Sequence, residues 1–418
     1  MVVRRSGTIS SDGPSHPSQS QTLNATAMTP IFNGLRQSRR RRSAAQMIEH
    51  DPYFIADPDA IETPAMVVFE QQLDANIADL CGLVGGGANL MAHVKTHKSE
   101  AIARKQLAAG IAGFKCATLQ ELELALDAGA PEAILAYPMV QRRKVERFAD
   151  ISATYDDRKV YAAVGDPRHV DVLAQIAQNR SQKLAVMVDL DVGMHRTGAG
   201  LDEEATALYS AIHAAPSLIC GGLHVYDGHE HFRDPSARNA AAQRHVDDLK
   251  TLKGRLEEQG MSVPRIVGGG SFSYATYARA EGFHGSPGTV IYWDLNGTGR
   301  MSDQPYRWAA MVLCQVVDRH PDQLTVTTDL GYKAIAGDPP LANRARLLGH
   351  EQATLLLQNE EHGVFSWPDG ASLPQVGDYQ LAIPGHVCPT TIRFPGSYVI
   401  DSQGAVVDYY PHTARDRQ

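Results

Sequence analysis

AGFKCATLQELELALDAGAPEAILAY, residues 112–137, is the stretch whose reading decides the fold. A short apolar run at 112–116 gives way to an amphipathic segment, 119–128, which stops at Gly129. A second apolar run follows at 133–137. Short runs bounded by turn residues read as strands, and glycine just past a periodic segment ends a helix. Strand, helix and strand in that order form a parallel pair joined by a crossover helix. Working outward, similar runs recur at 89–94, 160–164, 184–190, 218–225, 263–267 and 287–292, which brings the strands to eight. Helical patterns such as 236–258 separate most of them. The alternation predicts an α/β fold, a closed (β/α)8 barrel of the TIM type. A strand at 65–69 precedes the set and is free to pair elsewhere. After residue 300 the text changes to short β-like runs at 309–317, 323–328, 345–348, 353–358, 379–383 and 397–401. Pro, Gly and Asp clusters divide them, which predicts a C-terminal all-β domain. The expected division is a disordered extension at 1–50, a barrel at 60–298 and a β domain at 299–418.

The chain has 418 residues, room for one barrel of about 250 residues and a smaller domain. Hydrophobic residues make up 43% and charged residues 21%, the balance of a globular protein, which excludes a wholly disordered, collagenous or coiled-coil chain. No apolar run approaches the ~18 residues of a spanning helix, so no membrane role is expected. Residues 1–46 hold seven arginines and one acid, Asp12. The whole chain carries −8, so the remainder carries −14, which argues against a general nucleic-acid binder. The leading segment, with RQSRRRRS at 36–43, is too polar to bury a core. It reads as a transit peptide, a basic tether, a localisation patch or an extension without function. Five scattered cysteines without a CxxC pair point to a reducing, cytoplasmic compartment.

Five clusters carry the residue types of catalysis. HVKTHKS, 93–99, ends the first barrel strand, and barrel chemistry sits at the C-terminal ends of strands. An amine at Lys95, crowded by His93, His97 and Lys98, would lose its proton readily and attack a carbonyl. By spacing alone the same residues also read as a charged strand end. DLDVGMHRTG, 189–198, aims Arg196 at the barrel mouth, where a guanidinium suits a phenolate or phosphate oxygen. A surface Asp–Arg pair is the plainer reading. HVYDGHEHF, 224–232, places Tyr226 just beyond a strand, with His229 and His231 in the loop after it. IVGGGSFSY, 266–274, opens a helix with small residues, so backbone N–H groups at Gly269, Gly270 and Ser271 are free to approach a phosphate. A turn would use the same glycines. PGHVCPTT, 384–391, spaces His386 and Cys388 by two, on one face if the segment is a strand. Imidazole with thiolate suits zinc, although a buried cysteine beside a core histidine has the same spelling.

The ordered set resembles the D-threonine aldolase and D-serine dehydratase family of fold-type III (alanine racemase-like) enzymes of pyridoxal 5′-phosphate (PLP). It runs through TPAMVVFEQQLDANI (63–77), HVKTHKS, DVGMHRTG, GLHVYDGH (222–229), GGGSFSY, PGTVIYWD (287–294) and PGHVCPT. The resemblance implies that Lys95 carries the cofactor as a Schiff base. It implies that Arg196 lies near the phenolic oxygen, Tyr226 near the pyridine nitrogen, and Gly269, Gly270 and Ser271 around the phosphate, with Tyr292 assisting. His386 and Cys388 match the metal pair, which the β domain of the partner subunit in a homodimer would hold against the barrel mouth. Zinc is favoured, manganese or magnesium being the alternatives.

The implied reaction is that of a PLP- and divalent-metal-dependent lyase of D-3-hydroxy amino acids. Retro-aldol cleavage to glycine and an aldehyde is the first expectation, with His229 and His231 as candidate bases for the β-hydroxyl. The stretches DLGYKAIAGDPP (329–340) and EEHG (360–363) resemble the aldolase branch. Cys388 resembles the dehydratase branch, in which D-serine or D-3-hydroxyaspartate gives a 2-oxo acid and ammonia. An amino-acid racemase, which needs no metal pair, and a PLP carrier, which needs no β domain, are the lesser alternatives.

Overall fold

The computed structural model describes residues 47–417. The expected extension lies outside them except at its end, where Ile48–His50 forms a strand paired antiparallel with Tyr53–Ile55. Ile48 and Ile55 are buried there against Val67, Phe69 and their neighbours, which orders this short piece.

Eight parallel strands follow one another in sequence around the barrel: Met91–His93, Gly113–Cys116, Glu132–Leu135, Lys159–Val164, Leu184–Leu190, Leu218–Val225, Ile266–Gly268 and Phe283–Gly285. A bridge between Leu90 and Gly285 brings the last strand back to the first. The helix within the deciding stretch spans Leu119–Asp127, capped by Thr118, whose side chain accepts from the Glu121 N–H. It ends before Gly129, whose φ of +98° closes the turn.

The eighth strand is not the expected 287–292. Residues Thr289–Ile291 make a single 3-10 turn, and the pairing falls on Phe283–Gly285. Pro287 has no N–H to give a ladder, but its carbonyl accepts from the His93 N–H at 2.7 Å, so the segment crosses the mouth instead of extending the wall.

Alternation along the strands builds the inside of the barrel in two layers. Met91, Ile134, Tyr161, Met187 and Val267 form an apolar cluster of their own. Two residues beyond Met91, Gly113 and Met187 lie His93, Lys115 and Asp189, all buried. His93 is in register with Lys115, and Asp189 with His224. The floor is therefore apolar and the layer beneath the mouth is polar.

The second body of structure is a sheet domain. Its longest strand, Ala310–His320, pairs with Tyr379–Pro384 and Thr325–Thr328, and Gly396–Ile400 and Val406–Pro411 form a hairpin. Between these two groups runs Ala65–Phe69, antiparallel to Ala310–His320 and parallel to Gly396–Ile400. All five of its residues are buried. This strand, placed by sequence at the head of the barrel segment, belongs to the sheet domain by its hydrogen bonds. Helix Glu70–Gly82 follows it directly and packs Leu73, Ile77 and Leu80 into the main core.

Candidate active site

Lys95 stands two residues beyond the end of the first barrel strand, in the 3-10 turn Val94–Thr96. It lines a cavity of about 240 Å³ at the C-terminal mouth of the barrel. Tyr226 enters from the end of the sixth strand, and three cationic groups surround its ring: the Lys95 amine at 5.8 Å from the centroid, the Lys115 amine at 5.4 Å and the Arg196 guanidinium at 4.9 Å. Gly270 and Ser271 line the same cavity. A Cβ on Gly270 would lie 2.8 Å from the Tyr226 ring, so this part of the wall is backbone by necessity. The Ser271 hydroxyl accepts from the Thr289 N–H at 3.1 Å. Gly269 adopts a φ of +81°, and its carbonyl accepts from Lys115 at 3.5 Å. The helix expected behind these glycines is short, Tyr274–Arg279.

The cations expected around Lys95 are not the ones found. Burial pushes the His93 and His97 imidazoles well below their ordinary range, so both are neutral, and each turns a ring nitrogen to a nearby backbone N–H. Lys98 turns away to pair with the buried Glu121. The amine that faces Lys95 is Lys115, only 2% exposed and without an ion pair among the described residues. Burial, followed by the charge of Lys95, brings its pKa down to about 7, against the opposing pull of Asp189 and Asp227. The sequence reading passed over Lys115. The available signal was its position two residues after Gly113 on an inward-facing strand.

His386 and Cys388 line the cavity that Lys95 lines. They belong to the same chain, not to a partner subunit, because the turn Val387–Thr391 docks on the barrel mouth. There the Val387 N–H donates to Asp294 at 3.0 Å, and the Cys388 sulfur lies 3.3 Å from the Thr96 hydroxyl. Nor is the segment a strand: His386 precedes a helical turn that contains Cys388. Burial alone would raise the Cys388 thiol and lower the His386 imidazole, but each offsets this for the other. His386 rises to about 9, helped by Asp338, and the Cys388 thiol is lowered, helped by Lys95. The His386 Nδ1 sits 2.6 Å from an Asp338 carboxylate oxygen. Asp338 lies in the stretch DLGYKAIAGDPP, 329–340, where no local motif marks it as a partner of His386.

The two candidate bases separate. His231 lines the cavity, and burial with the charges of Arg300 and His229 keeps its imidazole below the ordinary range. His229 is not among the lining residues and faces Glu230. Tyr292 is fully buried behind the cavity.

These residues fit PLP in kind. There is an amine for its aldehyde, cations beside an aromatic ring for its charge, and a wall kept free of side chains at Gly270. They also fit a divalent ion, for which imidazole and thiolate are suitable donors and Asp338 an orienting carboxylate.

A barrel whose first strand delivers a lysine to a mouth closed by a following sheet domain defines the fold-type III class of PLP enzymes. Residues 68–296 match the model of the family described as "Alanine racemase, N-terminal domain", and residues 309–400 match "Putative serine dehydratase domain". The chain belongs to this family, within the D-threonine aldolase and D-serine dehydratase branch, and is an enzyme. It is 26% identical to a D-threonine aldolase of Arthrobacter over 86% of this chain and 94% of the relative. It is 24% identical to a D-threo-3-hydroxyaspartate dehydratase of Delftia over 83% and 96%. The solved D-threonine aldolase of Filomicrobium marinum superimposes with a TM-score of 0.77 at 25% identity, covering 85% of this chain and 96% of the other.

Proposed function

We propose that the protein is a PLP- and divalent-metal-dependent lyase that cleaves the Cα–Cβ bond of D-3-hydroxy amino acids to glycine and an aldehyde. One observation carries the reading: Lys95, Tyr226, His231, His386 and Cys388 line a single cavity. When bound, PLP supplies an electron sink for the α-carbon and the divalent ion polarises the β-hydroxyl.

The chain's own residues do the rest. Lys95 would provide the amine that holds the cofactor. Arg196, over Tyr226, stabilises negative charge on the cofactor ring. Gly269, Gly270 and Ser271 hold the phosphate with backbone groups, and buried Tyr292 backs the wall. His386 and Cys388 would ligate the ion, with Asp338 fixing the His386 ring. His231, neutral at physiological pH, accepts the hydroxyl proton on a ring nitrogen. Loss of that proton lets the Cα–Cβ bond break and the aldehyde leave. Such a protein would work as a homodimer in the cytoplasm, where Cys388 stays reduced.

Dehydration is the second reading, favoured by the sulfur ligand Cys388. Here Lys95 removes the α-proton, the hydroxyl leaves as water, and hydrolysis of the product gives a 2-oxo acid and ammonia. A panel of D-3-hydroxy amino acids with PLP and Zn²⁺ or Mn²⁺ separates the two. Acetaldehyde and glycine from D-threonine support cleavage. Pyruvate and ammonia from D-serine with no aldehyde from any substrate reverse the choice.

A further inference from the structure

We propose that His229, Glu230 and His245 form a second divalent-cation site, separate from His386 and Cys388, that ties the loop carrying Tyr226 and His231 to the long helix behind it. None of the three residues lines the cavity. His229 and Glu230 lie in the loop after the sixth barrel strand, and His245 in the helix Pro235–Glu258 that follows.

Their donor atoms all lie within 4.8 Å of one another. One Glu230 carboxylate oxygen stands 3.5 Å from the His245 Nε2 and 3.8 Å from the His229 Nε2. Both separations are longer than the ~2.7–3.2 Å of a good N–H···O hydrogen bond. They are close to the edges of a ligand tetrahedron, which metal–ligand bonds of about 2.0–2.2 Å set at roughly 3.3–3.5 Å. A carboxylate that bonded either imidazole would be nearer to it than this.

A second observation points to a ligand. His245 is 8% exposed, and its buried Nε2 has no hydrogen-bond partner. Buried polar nitrogens are almost always satisfied. One cation between the three residues would satisfy this nitrogen, the His229 nitrogen and the Glu230 oxygen together. Two imidazoles and a carboxylate suit Zn²⁺ and neighbouring transition ions. Gly193 faces the same His229 Nε2, and a Cβ there would lie 3.1 Å from it, so the lack of a side chain leaves room at the ligand nitrogen. The site holds in place the segment from Tyr226 to His231, which reaches the barrel mouth, so its contribution to turnover is one of positioning. It does not depend on the reaction proposed above.

The test counts ions on the full-length, PLP-loaded protein after chelation and dialysis against micromolar Zn²⁺. In the H386A/C388A double variant one equivalent per chain is expected to remain. Adding E230Q or H245Q to that background should lower its affinity at least tenfold. In the otherwise unaltered chain, E230Q should reduce the bound ion by one equivalent. With Co²⁺ in place of zinc, the visible bands of a nitrogen–oxygen site should persist in C388A and vanish on adding E230Q. No ion retained by a folded H386A/C388A protein, or equal stoichiometry with and without E230Q, overturns the site. Both results stand whether the enzyme cleaves, dehydrates or does neither.

Discussion

Lys115 puts a second amine within the reach of the group that Lys95 would hold. Its folded pKa of about 7 lies below that of an exposed lysine, so between these values the unfolded chain binds the extra proton. Stability of the cofactor-free protein should therefore rise with pH above 7, by up to about 1.4 kcal/mol per pH unit from this one group. Chemical denaturation at pH 7 and pH 9 checks this, and the increment should shrink in Lys115→Met. Lys95→Ala should abolish both the cofactor's absorbance and turnover, as read by a spectral titration and an assay on one preparation. Asp338→Asn leaves the His386 ring without its carboxylate, and loss of such an outer partner typically costs ~10–100-fold in metal affinity. Competition with a chelator measures it. At this scale Lys95, His386 and Cys388 were legible because their neighbours in sequence form motifs. Lys115 and Asp338 were not, because their importance comes from the groups that face them across the barrel and the sheet.

Among the elements, the strand–helix alternation was legible because each unit closes locally, as Thr118 and Gly129 do for the helix Leu119–Asp127. The eighth strand was misplaced because PGTVIY has the composition of a strand, while its Pro287 carbonyl accepts from His93 at the first strand's end and Thr289–Ile291 coil into a 3-10 turn. The spacing of His386 and Cys388 by two would suit a strand, but the Val387 N–H is drawn to Asp294 and a helical turn follows. The glycine wall belongs to this scale as well. Gly270→Ala would drive a methyl into the Tyr226 ring. Overpacking of that kind costs about 1–3 kcal/mol, or roughly five- to 150-fold in binding. A PLP titration of the variant should show weaker binding, with its far-UV circular dichroism unchanged.

For the molecule as a whole, the decisive element is Ala65–Phe69, which lies between the two groups of sheet strands although some 240 residues separate it from Ala310. The C-terminal segment therefore lacks an interior strand of its own sheet. Residues 299–418 expressed alone should fail to give a cooperative thermal transition, and a chain starting at residue 62 should give one. Because the same strand leads straight into helix Glu70–Gly82, sheet and barrel are joined at both ends of the barrel's sequence. That double connection sets the turn with His386 and Cys388 against the chain's own Lys95.

The sequence by itself determined the class of fold, the lysine at the end of the first barrel strand, the glycine wall and the imidazole–thiol pair. Each of these is written in periodicity or in a run of neighbouring residues. Only the tertiary structure decided that the pair meets the lysine within one chain, that His231 reaches the cavity while His229 turns to Glu230 and His245, and that Lys115 shares the pocket. Those relations join residues far apart in sequence. Barrel closure and the pairing of a distant strand create them, and no local pattern records either.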